Sequence, residues 1–193
     1  IHNSSISNNY CPTNPVIKIQ NSNFNINNNT ISSNSPPDFS NVGEGDGIIV
    51  GSNCINSSFS NNEVYNNQGE GHIISISNCP NFLFNNNVVY SNTIQTDHSG
   101  RGIIRISSSD YDNALLINNT IANNSVSALW PSGIFYISNY LDVGIKNTIV
   151  WDNNGTVFPY SSWDEEDITK LDISYSNIQG GWIPDEFDAV INE

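Results

Sequence analysis

Few residues in this chain could carry acid, base, metal or thiol chemistry, so each can be weighed singly. Only five of 193 residues are basic, Lys18, Arg101, Arg105, Lys146 and Lys170, against 19 acidic ones, for a formal charge of −14. His72 follows a glycine, and Asp97-His98 has no second carboxylate nearby in sequence, so neither reads as an acid–base pair. Carboxylates cluster at Asp38, Glu44 and Asp46, around "GEGDG", and again from Asp164 to Asp167. Calcium takes roughly six to eight oxygens from irregular loops of this sort. Asp38, Glu44 and Asp46 are therefore the candidate metal ligands, and calcium is the one candidate cofactor. Neither cluster has the spacing of a defined calcium loop, and a solvated acidic loop is the plain alternative. Three cysteines, Cys11, Cys54 and Cys79, are too few for a disulfide scaffold.

The charge excludes whole classes of partner. Phosphate recognition needs clustered Lys and Arg, which rules against nucleic acid and against an anionic membrane surface. No apolar run approaches the length of a membrane-spanning helix, so no membrane insertion is expected. The chain begins at Ile1 and contains no Met, which reads as a processed or excised chain or a piece of a longer protein. Six Asn-x-Ser/Thr sequons, at Asn3, Asn28, Asn56, Asn118, Asn123 and Asn154, are what 35 asparagines would produce by composition.

The elements that position these residues come from a repeat. "INNNTISSN" (Ile26 to Asn34), "FNNNVVYSN" (Phe84 to Asn92) and "INNTIANNS" (Ile117 to Ser125) are versions of one phrase. Its core, Asn-x-(Ile/Val), stands at Asn29, Asn62, Asn87, Asn119 and Asn147, with a weaker copy at Asn177. Ahead of each comes a second unit: "VIKIQN", "IIVGSN", "IISISN", "IIRISS" and "IFYISN". A glycine usually precedes it, at Gly47, Gly71, Gly102 and Gly133. Short runs rich in Ile and Val between turn residues are strands, not helices.

Three short strands in 25 to 33 residues make one coil of a parallel β-helix, which must stack on its neighbours to bury an apolar face. About six coils are expected. Ile17, Ile49, Ile74, Ile104 and Phe135 should form one inward ladder. Ile31, Val64, Val89, Ile121 and Ile149 should form another. Asparagine tolerates the left-handed backbone of a tight corner, and its amide can bond the same residue one coil away. Asn29, Asn62, Asn87, Asn119 and Asn147 are therefore expected in one column. Cys54 and Cys79 follow equivalent asparagines, Asn53 and Asn78, and should stack on adjacent coils. At a strand spacing of roughly 5 Å they could form a disulfide or simply pack as thiols. Val16, Ile48, Ile73, Ile103 and Ile134 alternate with the first ladder. If they point outward, they make an apolar stripe that loops or a second copy must cover.

These motifs, from about residue 1 to about residue 182, resemble the right-handed parallel β-helix superfamily that includes pectate lyases. The ending "YSNIQGGW" (Tyr175 to Trp182) resembles a phrase that closes the helix in large secreted bacterial β-helix proteins. The resemblance implies a domain over 1–182, entered mid-coil, with 183–193 a tail or the start of a following module. It also implies a secreted or cell-surface location. In the enzymatic relatives substrate lies beside the first strand of each coil, so the corresponding outward column is Lys18, Val50, Ser75, Arg105 and Tyr136. A lyase needs a cation to neutralise a uronate and a base to take the C5 proton. Lys18, Arg105 and, on the loop side, Arg101 are the candidates. Lys18 and Arg105 are three coils apart, roughly 14 Å at the strand spacing, too far to act on one sugar.

Two functions follow as expectations. The first is a non-catalytic extracellular module, a stalk, adhesin or glycan-binding surface, with Tyr136, Trp130 and Trp163 as sugar-stacking candidates. The rival is a lyase or hydrolase acting on acidic polysaccharide. Self-association through the apolar stripe, as in a filament or surface layer, is the third.

Overall fold

The computed structural model describes residues 1–10, 15–35, 47–96, 101–109, 112–128, 132–138, 141–158, 170–180 and 190–192. The chain is an all-β parallel solenoid of about five turns, slightly fewer than the six expected. The described residues hold 22 strands, numbered in chain order, in four sheets. The first holds β2 (Ile17–Gln20), β5 (Gly47–Ser52), β9 (His72–Ser77), β13 (Gly102–Ser107) and β17 (Gly133–Ser138). The second holds β3 (Asn25–Asn27), β6 (Ser58–Ser60), β10 (Phe82–Asn85), β14 (Asp112–Ile117), β18 (Leu141–Lys146), β20 (Lys170–Ser174) and β22 (Val190–Asn192). The third holds β1 (Ser5–Ser7), β4 (Thr30–Ser32), β7 (Glu63–Tyr65), β11 (Val88–Tyr90), β15 (Thr120–Ala122), β19 (Ile149–Trp151) and β21 (Asn177–Ile178). The fourth is short: β8 (Gln68–Gly69), β12 (Thr93–Thr96) and β16 (Ser125–Ala128).

That fourth sheet departs from the expected three strands per coil. Three successive coils use all four faces, and segments expected as loops supply the extra strands. The cause is a second asparagine corner. Asn66, Ser91 and Asn123 take left-handed backbone, with φ of 53°, 53° and 55°. Ile94 and Val126 then turn inward to join the core.

Each corner divides its work between two adjacent residues. Between the second and third sheets, Asn28, Asn61, Asn86, Asn118 and Asn147 are left-handed, with φ from 49° to 57°. The residue after each is buried and forms the ladder. The N–H and Nδ2 of Asn29, Asn62 and Asn87 each donate to Oδ1 of the asparagine in the next coil, Asn62, Asn87 and Asn119, at 2.9–3.2 Å. Asn147 is not in this ladder. It occupies the left-handed position, and Thr148 takes the ladder place, accepting the Asn119 N–H at 3.4 Å. The same one-residue slip moves Ile149 out of the inward row. It pairs with Thr120 and is 47% exposed, while Val150 pairs with Ile121 and is fully buried. Both corner positions accept asparagine, so alignment on Asn-x-(Ile/Val) locked onto the wrong one.

The other expected columns hold. Ile17, Ile49, Ile74, Ile104 and Phe135 are in register and buried. Ile31, Val64, Val89 and Ile121 are likewise. A third inward column runs Ile26, Phe59, Phe84, Leu116, Ile145 and Ile173. Within it Phe59 and Phe84 stack at 5.4 Å with 6° between planes. Each such fully buried side chain contributes about 1.5–3 kcal/mol.

The expected apolar stripe does not exist. Ile73, Ile103 and Ile134 are fully buried and Ile48 is nearly so. All four belong to the same core as the first ladder, and Val16 packs against it half-buried. Pairing in the first sheet passes from Gly47↔His72 to Ile49↔Ile74. At that corner two consecutive side chains face inward, instead of alternating as in a flat strand.

Candidate functional site

The first-sheet column is in the expected register, Lys18–Val50–Ser75–Arg105–Tyr136. It is not an open groove. Val50 and Ser75 are buried, which separates exposed Lys18 from half-buried Arg105. The Arg105 Nη1 donates a long 3.5 Å bond to Ser75 Oγ. Burial holds its guanidinium below the ordinary value, partly offset by Tyr136 in the next coil. The Arg101 backbone amide donates to Ser132 Oγ at 3.2 Å, and its Nε is buried with no partner among the described residues. Tyr136 is half-buried and pairs with Arg105 in the expected column.

His72 is not the ordinary strand-entry residue its sequence position suggests. It is completely buried, in a column of glycines: Gly47, His72, Gly102, Gly133. A Cβ at Gly47 would lie 2.9 Å from the His72 carbonyl oxygen, which is why glycine stands there. His72 Nδ1 sits 3.1 Å from the Gly102 amide nitrogen, and Nε2 has no partner among the described residues. Burial, with Arg105 and Arg101 adding, holds its pKa down at about 3. The ring is therefore neutral at any ordinary pH and takes up space in the wall.

Cys54 and Cys79 follow paired strands and are stacked free thiols, both buried. Each caps its own corner, Cys54 Sγ on Ser52 O at 3.1 Å and Cys79 Sγ on Ser77 O at 3.3 Å. Burial pushes the Cys79 thiol up to about 12. The candidate calcium ligands Asp38, Glu44 and Asp46, the run Asp164 to Asp167, the pair Asp97-His98, the aromatics Trp130 and Trp163, and Cys11 lie outside the described residues.

A concave site that sequence reading missed lies on the second sheet. Its cavity is about 630 Å³ and spans β10, β14, β18 and β20. Outward residues alternate with the buried Phe82, Ala114, Leu116, Val143 and Ile145. The central outward column runs Leu83–Leu115–Gly144–Asp172. Gly144 contributes no side chain, so the column drops into a notch between Leu115 and Asp172. A Cβ there would meet Leu115 Cδ1 at 2.9 Å. Asn113, Asp142 and Lys170 form one rim. Lys146 stands on the other, its Nζ 3.7 Å from Asp172 Oδ2. Asp172 Oδ1 is buried and, among the described residues, accepts no hydrogen bond. The arrangement offers an aliphatic floor and both signs of charge. The available signal was Gly144 itself, a glycine inside the strand pattern "LDVGIK".

No family model matches the chain, and no curated protein matches it. Among solved structures, one of QnrB1, described as a plasmid-mediated fluoroquinolone resistance protein, aligns with 98% of this chain and 91% of its own. The identity is 11% and the TM-score 0.24, a similarity too low to carry an argument about this chain.

Proposed function

We propose that this chain is a non-catalytic β-solenoid module of a larger secreted or cell-surface protein, and that it binds a neutral polysaccharide in the second-sheet groove. The observation that carries this is the Gly144 notch, an open cavity crossing several coils with an aliphatic floor and a charge-balanced polar rim. An extended ligand can lie along such a row of repeats. Leu83 and Leu115 suit the C–H faces of sugar rings. Asn113, Asp142, Lys146 and Lys170 suit hydroxyls, which both donate and accept. Two lysines facing two aspartates give the groove no net charge, and the chain as a whole, at −14, repels polyanions.

The competing reading, a lyase on acidic polysaccharide, rests on Arg101 and Arg105, which both act electrostatically on His72. One assay separates the two. Affinity gel electrophoresis through neutral and uronate polymers should show retardation by a neutral one, reduced in Gly144→Leu. Retardation by uronate polymers alone, with release of an unsaturated product, would establish the lyase instead. The pectate-lyase-like character of the repeat and the extracellular location are parts of the same proposal, supported by the repeat pattern and the closing phrase.

A further inference from the structure

The third sheet carries a second feature, on a different face from the groove. Its outward row reads Ser32, Tyr65, Tyr90, Ala122, Trp151, one residue per coil and in register. Tyr65 and Tyr90 stack at 5.0 Å with 13° between planes. Tyr90 is held in place by its hydroxyl, which donates to Glu63 Oε1 at 3.0 Å. The aromatic row then skips one coil. Ala122 stands where a third ring would, and Trp151, 53% exposed, resumes beyond it.

We propose that this missing rung is a binding slot for one pyranose ring of a neutral sugar. Two coil steps separate the Tyr90 and Trp151 positions by about 9.6 Å, so a ring entering over Ala122 sits about 4.8 Å from each. That matches the 5.0 Å at which Tyr65 already lies against Tyr90. Among the described residues no ring covers the other face of Tyr90. The slot's edges favour a sugar over a flat apolar ligand. On one side stand the exposed corner residues Ser91, Asn123 and Asp152, successive in the stack: the Ser91 amide donates to Ala122 O and that of Asn123 to Trp151 O. They present a hydroxyl, an amide and a carboxylate to ring hydroxyls. On the other side Thr120 lies between Val88 and Ile149, both exposed. Asp152 and the net charge of −14 disfavour a uronate.

The slot is independent of the groove, and its test keeps the two apart. Isothermal titration would use neutral hexose oligosaccharides, a uronate oligomer and indole, against the wild type and the variants Ala122→Phe, Trp151→Ala and Gly144→Leu. Filling the rung in Ala122→Phe, or removing a wall in Trp151→Ala, should weaken neutral-sugar binding at the slot at least tenfold. Circular dichroism should show the fold retained, and Trp151→Ala, at an exposed position, covers the case of a misfolded Ala122→Phe. Gly144→Leu should leave that binding unchanged, whether or not the groove reading survives. Neutral-sugar binding that is absent in Gly144→Leu, or that persists at full strength in both slot variants, overturns the proposal. So does a slot that takes indole and no sugar.

Discussion

Asn92 sits midway along the second asparagine ladder and is fully buried. That ladder runs Asn9, Asn34, Asn67, Asn92, Asn124, Asn153 and ends on Gln179 Oε1. The Oδ1 of Asn92 accepts from both the Asn67 N–H, at 3.0 Å, and Asn67 Nδ2, at 2.9 Å. Its Nδ2 donates to Val64 O, Tyr90 O and Asn124 Oδ1. In Asn92→Ala the Asn67 side chain keeps its bonds to Ile31 O and Tyr65 O. The Asn67 backbone N–H is left buried with no acceptor, which costs about 1–3 kcal/mol. The void from the lost amide adds to it, giving a total of about 2–4 kcal/mol. Asn9 provides the control. It heads the ladder, is half-buried, and its side chain only donates, to Asn34 and Ser7, so Asn9→Ala orphans no donor in the next coil and should cost less than about 1 kcal/mol. Urea denaturation followed by circular dichroism measures both. Asn92→Asp adds a signature: it keeps the acceptor but turns an oxygen toward the three oxygens that Nδ2 faced. Its destabilisation should shrink as the pH falls and the carboxyl regains a proton. If Asn92→Ala matches Asn9→Ala in stability, the ladder is not what holds this corner.

The slipped fifth copy offers a gain. Thr148→Asn should replace the 3.4 Å Asn119–Thr148 contact with an amide rung and stabilise the fold by about 0.5–1.5 kcal/mol in the same denaturation assay. In the core, Phe84→Ala should cost about 3–5 kcal/mol, because Phe84 stacks on Phe59 and is fully buried. His72 gives a pH dependence. Its folded pKa of about 3 lies below its ordinary 6.5. The unfolded chain therefore binds more protons between those values, and the contribution from His72 is complete above about 6.5 and lost as pH falls toward 3, by at most about 1.4 kcal/mol per pH unit. Denaturation of wild type and His72→Gln at several pH values should show a weaker acid dependence in the variant. For the thiols, a Cys11→Ser chain should react with a thiol reagent at pH 8 only after unfolding, because Cys54 and Cys79 are buried and Cys79 titrates near 12. Rapid reaction in the native state would contradict the described packing.

Much of the architecture was legible because a parallel solenoid writes its register into the chain as a repeat. The Ile17-to-Phe135 ladder could be assigned from spacing alone. The errors came where two positions share one preference. Left-handed corner and ladder rung both suit asparagine, so Asn147 was placed one residue out and Ile149 with it. The fourth sheet was hidden because "QG", "TIQT" and "SVSA" share no common residue and carry little apolar signal. The candidate sites were less legible still. Tyr65, Tyr90 and Trp151 are 25 and 61 residues apart in the chain, and only the stack puts them in one row.

The sequence by itself determined that the chain is a stack of short parallel strands, where its inner aliphatic columns run and that asparagine makes its corners. These are local and periodic properties, repeated often enough to be read without coordinates. Only the tertiary structure decided which of two neighbouring asparagines turns and which bonds, that Ile73 and its equivalents face inward, and that His72 is walled in by glycines. It alone showed that one glycine opens a notch on the second sheet and one alanine a gap in the aromatic row of the third. A missing side chain becomes a site only when its neighbours in the adjacent coils are present on both sides, and that adjacency is a property of the stack.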